Sequence, residues 1–352
     1  MNKFKFLLYI LFVSILIYQY PGCDSDTLNN FGGSSEIFGG YEINEAGVIM
    51  TLAALCYTAD DNSNPIQVRD SLIIMLADTN YSTGGKWKLA WGPGMSPSGS
   101  SLVYAAVDTT SDTIKYAICV RGTVFNLANI IEDLDIIYML KWPYSGTGDS
   151  VAYGSMQGFD TLLNTTDPVT QKSLQSFLDS LNAPKMKLFI TGHSLGGAMA
   201  TLIARWLVDI GFNSKFKIEA YTFAAPTVGN VSFANSYNTR LSGAGAESHR
   251  CTNSKDVVPY AWADLQKIID NNIPTQVPAL VNAAITTAKQ YLQDSGIVYK
   301  HVETKRDLGS NDPVGCGPNG EYGTYVCWVE FEHSSQTYLR LLSADTINWN
   351  SR

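Results

Sequence analysis

Apolar positions along this chain fall into runs that alternate between helical and strand-like spacing. From Asn44 to Tyr57, Val48, Ile49, Leu52 and Leu55 recur at helical intervals, which predicts a helix packed by one face with Asn44 as its cap. Leu102 to Val107 and Ile114 to Val120 read as short strands separated by the polar turn Asp108 to Asp112, and Lys187 to Thr191 as a third strand running into Gly192. Leu195 to Ile210 turns helical and stops at Gly211. Strand-like runs recur at Phe216 to Phe223, Glu247 to Thr252, Ile297 to Val302 and Tyr325 to Phe331, with helical patterns between most of them. Alternation of this kind predicts the α/β class, with a mainly parallel central sheet and helices on both faces. No internal repeat interrupts it and no Pro/Ser linker follows residue 36, so residues 44–352 are expected to form a single domain with insertions.

The N-terminus has a different pattern. Lys3 and Lys5 precede an apolar run from Phe6 to Tyr18 broken only by Ser14, and Pro21-Gly22-Cys23 then opens a polar stretch. That layout predicts a signal peptide over residues 1–22 and a polar leader over 23–43. The run falls short of the roughly 20 apolar residues that span a bilayer. Cys23 follows Gly22 as the acylated cysteine of a bacterial lipoprotein would, while Tyr20 departs from the usual Leu three residues earlier. Lipidation at Cys23 and release after cleavage therefore both stay open, and the expected location is secreted or cell-surface.

Of the 352 residues, 45% are hydrophobic and 16% charged, the balance of a folded chain with a sizeable core. The 24 Lys+Arg against 32 Asp+Glu leave a formal charge of -8, which supplies no footprint for phosphate backbones, so nucleic acid is not an expected partner. No C-x-x-C pair occurs among Cys23, Cys56, Cys119, Cys251, Cys316 and Cys327, which removes zinc and dithiol redox motifs. Cys56 and Cys119 lie in apolar patterns and read as core. Cys316 and Cys327 bracket a Gly-rich turn and could close a hairpin with a disulfide in an exported protein.

Candidate chemistry centres on Gly192-His193-Ser194-Leu195-Gly196, a G-x-S-x-G sequence that follows an apolar strand and opens a helix. A sharp turn there exposes a serine hydroxyl, and the glycines two before and two after it avoid a side-chain collision. A serine becomes nucleophilic only when a base takes its proton and an acid orients that base. Four histidines are available. His193 adjoins Ser194 within the turn and is expected to point away from its hydroxyl. His249 lies in a strand pattern ahead of the acid, and His301 sits mid-strand in Val298 to Val302, packed in the sheet. His333 follows the run Tyr325 to Phe331 at a strand end, where open α/β sheets place their sites, and is the expected base. Asp256, in the strand-end loop after Thr252 and before Pro259, is the expected acid, while Asp264 and Asp270 on a later amphipathic helix are expected to face water.

Taken together, residues 44 to 342 resemble the class 3, or fungal-type, triacylglycerol lipase family. Val120-Arg121-Gly122-Thr123 is similar to its Arg-Gly-Ser/Thr segment and Asn129 to Leu134 to the following Asn-Trp-x-x-Asp-Leu. Tyr153 to Phe159 resembles the His-x-Gly-Phe segment, Thr191 to Ala198 the nucleophile turn, and Phe223 to Asn230 the Phe-Gly-x-Pro-Arg-x-Gly-Asn segment. Asp256 to Pro259 resembles the acid loop, and His333 with Tyr338-Leu339 the terminal base. Ile130, Met156 and Thr227 stand where the family commonly has Trp, His and Arg.

The resemblance implies an α/β-hydrolase fold, Ser194 as nucleophile, Asp256 and His333 as its partners, and an oxyanion hole from Thr123 with the Leu195 N–H. It also implies a lid in the segment after Thr123, here Val124 to Tyr144. Such chemistry needs no cofactor and no metal. The helical segment Ala261 to Asp294 reads equally as a cap over an acyl pocket or as an outer packing layer. The expected activity is that of an exported serine lipase or carboxylesterase acting on acylglycerols, with a lipid or ester substrate met at a lipid–water interface and only peripheral membrane contact unless Cys23 carries an anchor. A phospholipase A1 or an esterase of soluble esters would use the same residues. A non-catalytic lipid-binding surface protein is the reading from another class, and the complete Ser194, Asp256, His333 set argues against it.

Overall fold

A computed structural model describes residues 37–38, 41–59, 63–122, 136–146, 148–183, 185–270, 276–310 and 320–348. After the two-residue strands β1 (Ile37–Phe38) and β2 (Tyr41–Glu42) come helices α1 (Ile43–Leu55) and α2 (Pro65–Leu76). The strands β3 (Trp87–Met95), β4 (Leu102–Asp108) and β5 (Ile114–Val120) follow as an antiparallel meander. Next are the small hairpin β6 (Met139–Lys141) with β7 (Ser150–Ala152), and the helices α3 (Tyr153–Leu163) and α4 (Leu174–Ser180).

From there strands and helices alternate. The order is β8 (Met186–His193), α5 (Leu195–Asp209), β9 (Lys217–Phe223), α6 (Val231–Gly243), β10 (Glu247–Thr252), α7 (Leu265–Asp270), α8 (Ala279–Asp294), β11 (Lys305–Asp307), α9 (Gly320–His333) and α10 (Ser335–Leu341). Seven strands form one sheet in the order β11-β10-β9-β8-β5-β4-β3, parallel from β5 through β11. This is the mainly parallel α/β architecture that the alternation predicts.

Adjacent residues of each strand feed different cores, as the two-residue period requires. Ile118, Leu188, Ile190 and Ile218 join Ala198, Leu202 and Trp206 of α5 in one buried cluster. Ala117, Cys119, Phe189 and Tyr221 join Ile49, Leu52 and Leu55 of α1 in another on the opposite face. A third cluster draws on Ile136, Val257, Trp262, Leu265, Ile285, Leu292, Tyr325 and Trp328, and contains no residue of the seven-stranded sheet. Leu195 lies at its margin.

Several expectations need correction. Tyr325 to Phe331 is not a strand but the middle of α9, so His333 is the last residue of a helix. Ile297 to Val302 forms no strand either; Tyr299 makes a single bridge to Asn230. Asn44 lies inside the first turn of α1 rather than capping it. The segment Ala261 to Asp294 holds two helices, α7 and α8, whose apolar faces build the third cluster. Of the stretch expected to be a lid, residues 124–135 lie outside the described residues, while Met139–Lys141 pairs in the small hairpin and Trp142 is buried. Cys56 and Cys119 are buried free thiols, and Cys251 is buried. Cys327 is disulfide-bonded, and Cys316 lies outside the described residues.

Candidate active site

Ser194 stands between the end of β8 and the first residue of α5, with φ 60° and ψ −131°. A non-glycine residue there is strained, and the surrounding backbone must hold it. It does so from both sides. The Ser194 N–H donates to the Phe223 carbonyl at 2.9 Å, and the Ser194 carbonyl accepts from the Gly197 N–H at 2.9 Å. A Cβ on Gly192 would strike the Gly196 main chain, and one on Gly196 would strike the main chain of Val120 and Arg121. The two glycines therefore permit both the turn itself and its close approach to β5.

Three separate chain segments converge on this serine. His333 Nε2 lies 2.8 Å from Ser194 Oγ, and His333 Nδ1 lies 2.8 Å from Asp256 Oδ2. An ionised carboxylate only accepts, so the ring proton belongs on Nδ1, leaving Nε2 to accept from the serine O–H. Ser194 is 2% exposed, and Asp256 and His333 are fully buried. Asp256 Oδ1 accepts from the Val258 N–H at 2.9 Å, while Oδ2 also accepts from the Tyr338 hydroxyl at 2.8 Å. Burial, and next the charge of Asp256, push the Tyr338 phenol well above its ordinary value, so it remains a donor.

Asn253 is the contributor that sequence reasoning missed, and Tyr338, quoted there only as part of the terminal segment, had no role assigned to it. The Asn253 N–H donates to the Tyr338 hydroxyl at 2.9 Å, and the Asn253 side-chain amide donates to the Glu332 carbonyl at 2.9 Å and to Glu332 Oε2 at 2.6 Å. Asn253 thus joins the loop bearing Asp256 to the helix end bearing His333. The available signal was a tyrosine five residues beyond the histidine, an aromatic whose polar tip needs a partner once buried.

The other histidines have different neighbours. His249 Nε2 is 3.1 Å from Glu219 Oε1, between the paired strands β10 and β9. His301 lies in a loop, its Nδ1 3.1 Å from Thr227 Oγ1 and its Nε2 3.5 Å from Asp264 Oδ2. Burial and then the Arg250 charge bring His301 down to about 4, so the ring is neutral at neutral pH. Asp264 precedes α7 and pairs with Lys267 at 3.0 Å, while Asp270 on α7 accepts from Gln266 at 2.9 Å. His193 is buried and packs beside His333. Met156 is buried in α3. Leu195 opens α5, where a first-turn N–H has no acceptor within its own helix and is available to a ligand. Thr123 and Ile130 lie outside the described residues.

One group among the described residues has metal-like spacing. Glu219, Glu247 and His249 present ligand atoms within 4.8 Å of one another. Lys187 already lies 2.6 Å from Glu219 and Lys217 lies 2.6 Å from Glu247, so ammonium groups balance these carboxylates.

Comparison with known proteins agrees with this architecture. The family pattern for lipase (class 3) matches residues 117–265, from β5 through the nucleophile turn to the acid loop. Phospholipase A1-II 1 of Oryza sativa is 29% identical over 170 residues, 43% of this chain and 42% of that protein. Secreted mono- and diacylglycerol lipase 1 of Fusarium solani is 43% identical over 76 residues, 22% of this chain and 20% of that protein. The chain thus spans less than half the length of either relative. The crystal structure of M37 lipase superposes with a TM-score of 0.69 at 24% identity, covering 85% of this chain and 93% of that one, a likeness of fold.

Proposed function

We propose that this chain, which matches the class 3 lipase family over residues 117–265, is an exported serine ester hydrolase that cleaves acylglycerols through an acyl-enzyme. The observation that carries the reading is the unbroken hydrogen-bonded line from Ser194 Oγ through His333 to Asp256, two links of 2.8 Å each, inside a buried site at the end of a parallel strand. In this reading His333 Nε2 takes the serine proton as Ser194 Oγ attacks the ester carbonyl carbon. Asp256 holds the ring in the required tautomer and stabilises the imidazolium. The Leu195 N–H and Thr123 receive the oxyanion. His333 returns the proton to the departing alcohol oxygen, and water then attacks the acyl-enzyme by the same exchange to release the acid. All steps use protein groups alone.

Residues 1–22 act as the signal peptide, 23–43 as a polar leader and 44–352 as one hydrolase domain, with the mature chain beginning near Cys23. Among the described residues no helix is long and apolar enough to cross a membrane. Phospholipase A1 activity is the second reading, favoured by the 170-residue match to the rice protein.

The test is fluorophosphonate labelling followed by initial rates on tri-, di- and monoacylglycerols, a diacyl phosphatidylcholine and a soluble p-nitrophenyl ester. One label per chain on Ser194 is expected, with Ser194→Ala and His333→Ala folded but inactive and acylglycerols the best substrates. Labelling elsewhere, or an active Ser194→Ala protein, would overturn the mechanism. Preference for the phospholipid would select the second reading.

A further inference from the structure

The residue before Ser194 is a histidine with an unusual setting. His193 is 3% exposed, its ring centre lies 5.0 Å from that of His333 with the planes inclined at 40°, and Tyr338 stands edge-on at 5.5 Å. Two imidazoles this close in a buried site resist carrying charge together. Burial and then the neighbouring His333 hold His193 well below the ordinary histidine range, with the main chain of His333 opposing them, so its ring is neutral at working pH.

Tyr57, in the single helical turn Cys56–Thr58 that follows α1, reaches this ring from the other side. Its hydroxyl is 2.9 Å from His193 Nδ1 and 3.4 Å from the His193 carbonyl oxygen. A Cβ on Gly122 would fall 2.6 Å from the same hydroxyl. One phenol oxygen therefore touches the side chain and main chain of the nucleophile turn and the strand end that leads into Thr123. Burial, and next the thiol of Cys56, push that phenol above its ordinary value, which keeps it a donor.

We propose that Tyr57 and His193 are a positioning pair: Tyr57 donates to His193 Nδ1, fixes that ring as a neutral wall against His333, and ties the nucleophile turn to the strand preceding Thr123. The proposal rests on the reading that Ser194 and His333 carry acyl transfer. When His333 accepts the serine proton, the imidazolium meets a neutral, polarisable ring in place of a second cation. The titratable groups packed around His193 are Tyr57, His333 and Tyr338, with the Arg121 charge next beyond Tyr57. Loss of the Tyr57 donor removes a bond that favours the neutral form, so His193 protonates more readily.

The experiment measures turnover of a soluble p-nitrophenyl ester per fluorophosphonate-titrated site across pH. Tyr57→Phe is expected to lower kcat about tenfold with KM within about twofold, and to move the acid limb of kcat/KM to higher pH. In a His193→Gln background, which lacks the ionisable ring, Tyr57→Phe is expected to leave that limb in place. His193→Gln alone is expected to lower kcat without moving the wild-type limb. A Tyr57→Phe enzyme with wild-type kcat and limb overturns the proposal, provided Ser194→Ala is inactive; an active Ser194→Ala overturns instead the reading beneath it. A limb that moves to lower pH in His193→Gln also overturns the proposal, since it means that His193 is charged in the working range.

Discussion

Replacing Tyr338 with Phe removes a single oxygen and tests whether one hydroxyl holds the candidate site together. That oxygen donates to Asp256 Oδ2 at 2.8 Å and accepts from the Asn253 N–H at 2.9 Å, and the three residues are 0–1% exposed. The ring stays, so no cavity large enough to matter opens. A hydrogen bond to a buried carboxylate contributes about 1.5–3 kcal/mol, and stranding a buried N–H costs about 1–3 kcal/mol, so the combined loss is about 4 kcal/mol. With an unfolding entropy of about 2.1 cal/mol/K per residue, a chain of this length loses about 5 °C in Tm. Urea unfolding followed by fluorescence should show the midpoint fall with the m-value unchanged. Turnover should also fall, because Asp256 loses the Tyr338 donor that fixes Oδ2 before His333 and keeps the Val258 N–H on Oδ1. A Tyr338→Phe protein within about 0.5 kcal/mol of wild type would refute the claim that this hydroxyl is the shared node.

Two further predictions concern other parts of the molecule. If Thr123 supplies a side-chain donor to the oxyanion, Thr123→Val should lose about 10²- to 10³-fold in kcat at near-unchanged Tm while Thr123→Ser keeps substantial activity, and equal rates for Val and wild type would leave at most the backbone N–H in that role. Burial alone would raise Glu219, but His249, Lys187 and Tyr221 bring it down from 4.5 to about 2. Its stabilising contribution is therefore complete above pH 4.5 and is lost as pH falls from there toward 2, so Glu219→Gln should flatten the acid limb of stability against pH, and an unchanged slope would contradict this.

Ile114–Val120 was legible because only Lys115 interrupts its apolar and β-branched positions, while Glu247–Thr252 is largely polar in sequence, and the structure keeps the boundaries of both strands. β3 was hidden by its own Gly92-Pro93-Gly94, which reads as a breaker yet sits on an edge strand where a proline is tolerated. Tyr325 to Phe331 misled in the opposite direction. Its aromatic and β-branched content fits a strand, but packing of Tyr325, Trp328 and Val329 into the third cluster selects a helix. His333 was singled out by motif order, although the element proposed to carry it was wrong. Asn253 and Tyr57 could not have been found by periodicity, since their partners lie 85 and 136 residues away in sequence.

The third apolar cluster bears on how the molecule breathes. It shares no strand with the sheet, so α7, α8 and the middle of α9 can part from it without breaking any ladder pairing. Amide protons of those helices can therefore exchange through a sub-global opening of lower free energy than that which frees β8 and β9. Leu195 stands on the seam, at the margin of the softer unit but immediately after the strained turn at Ser194. The backbone that fixes Ser194 thus belongs to the sheet, while the helices packed beside it belong to a unit that can open on its own.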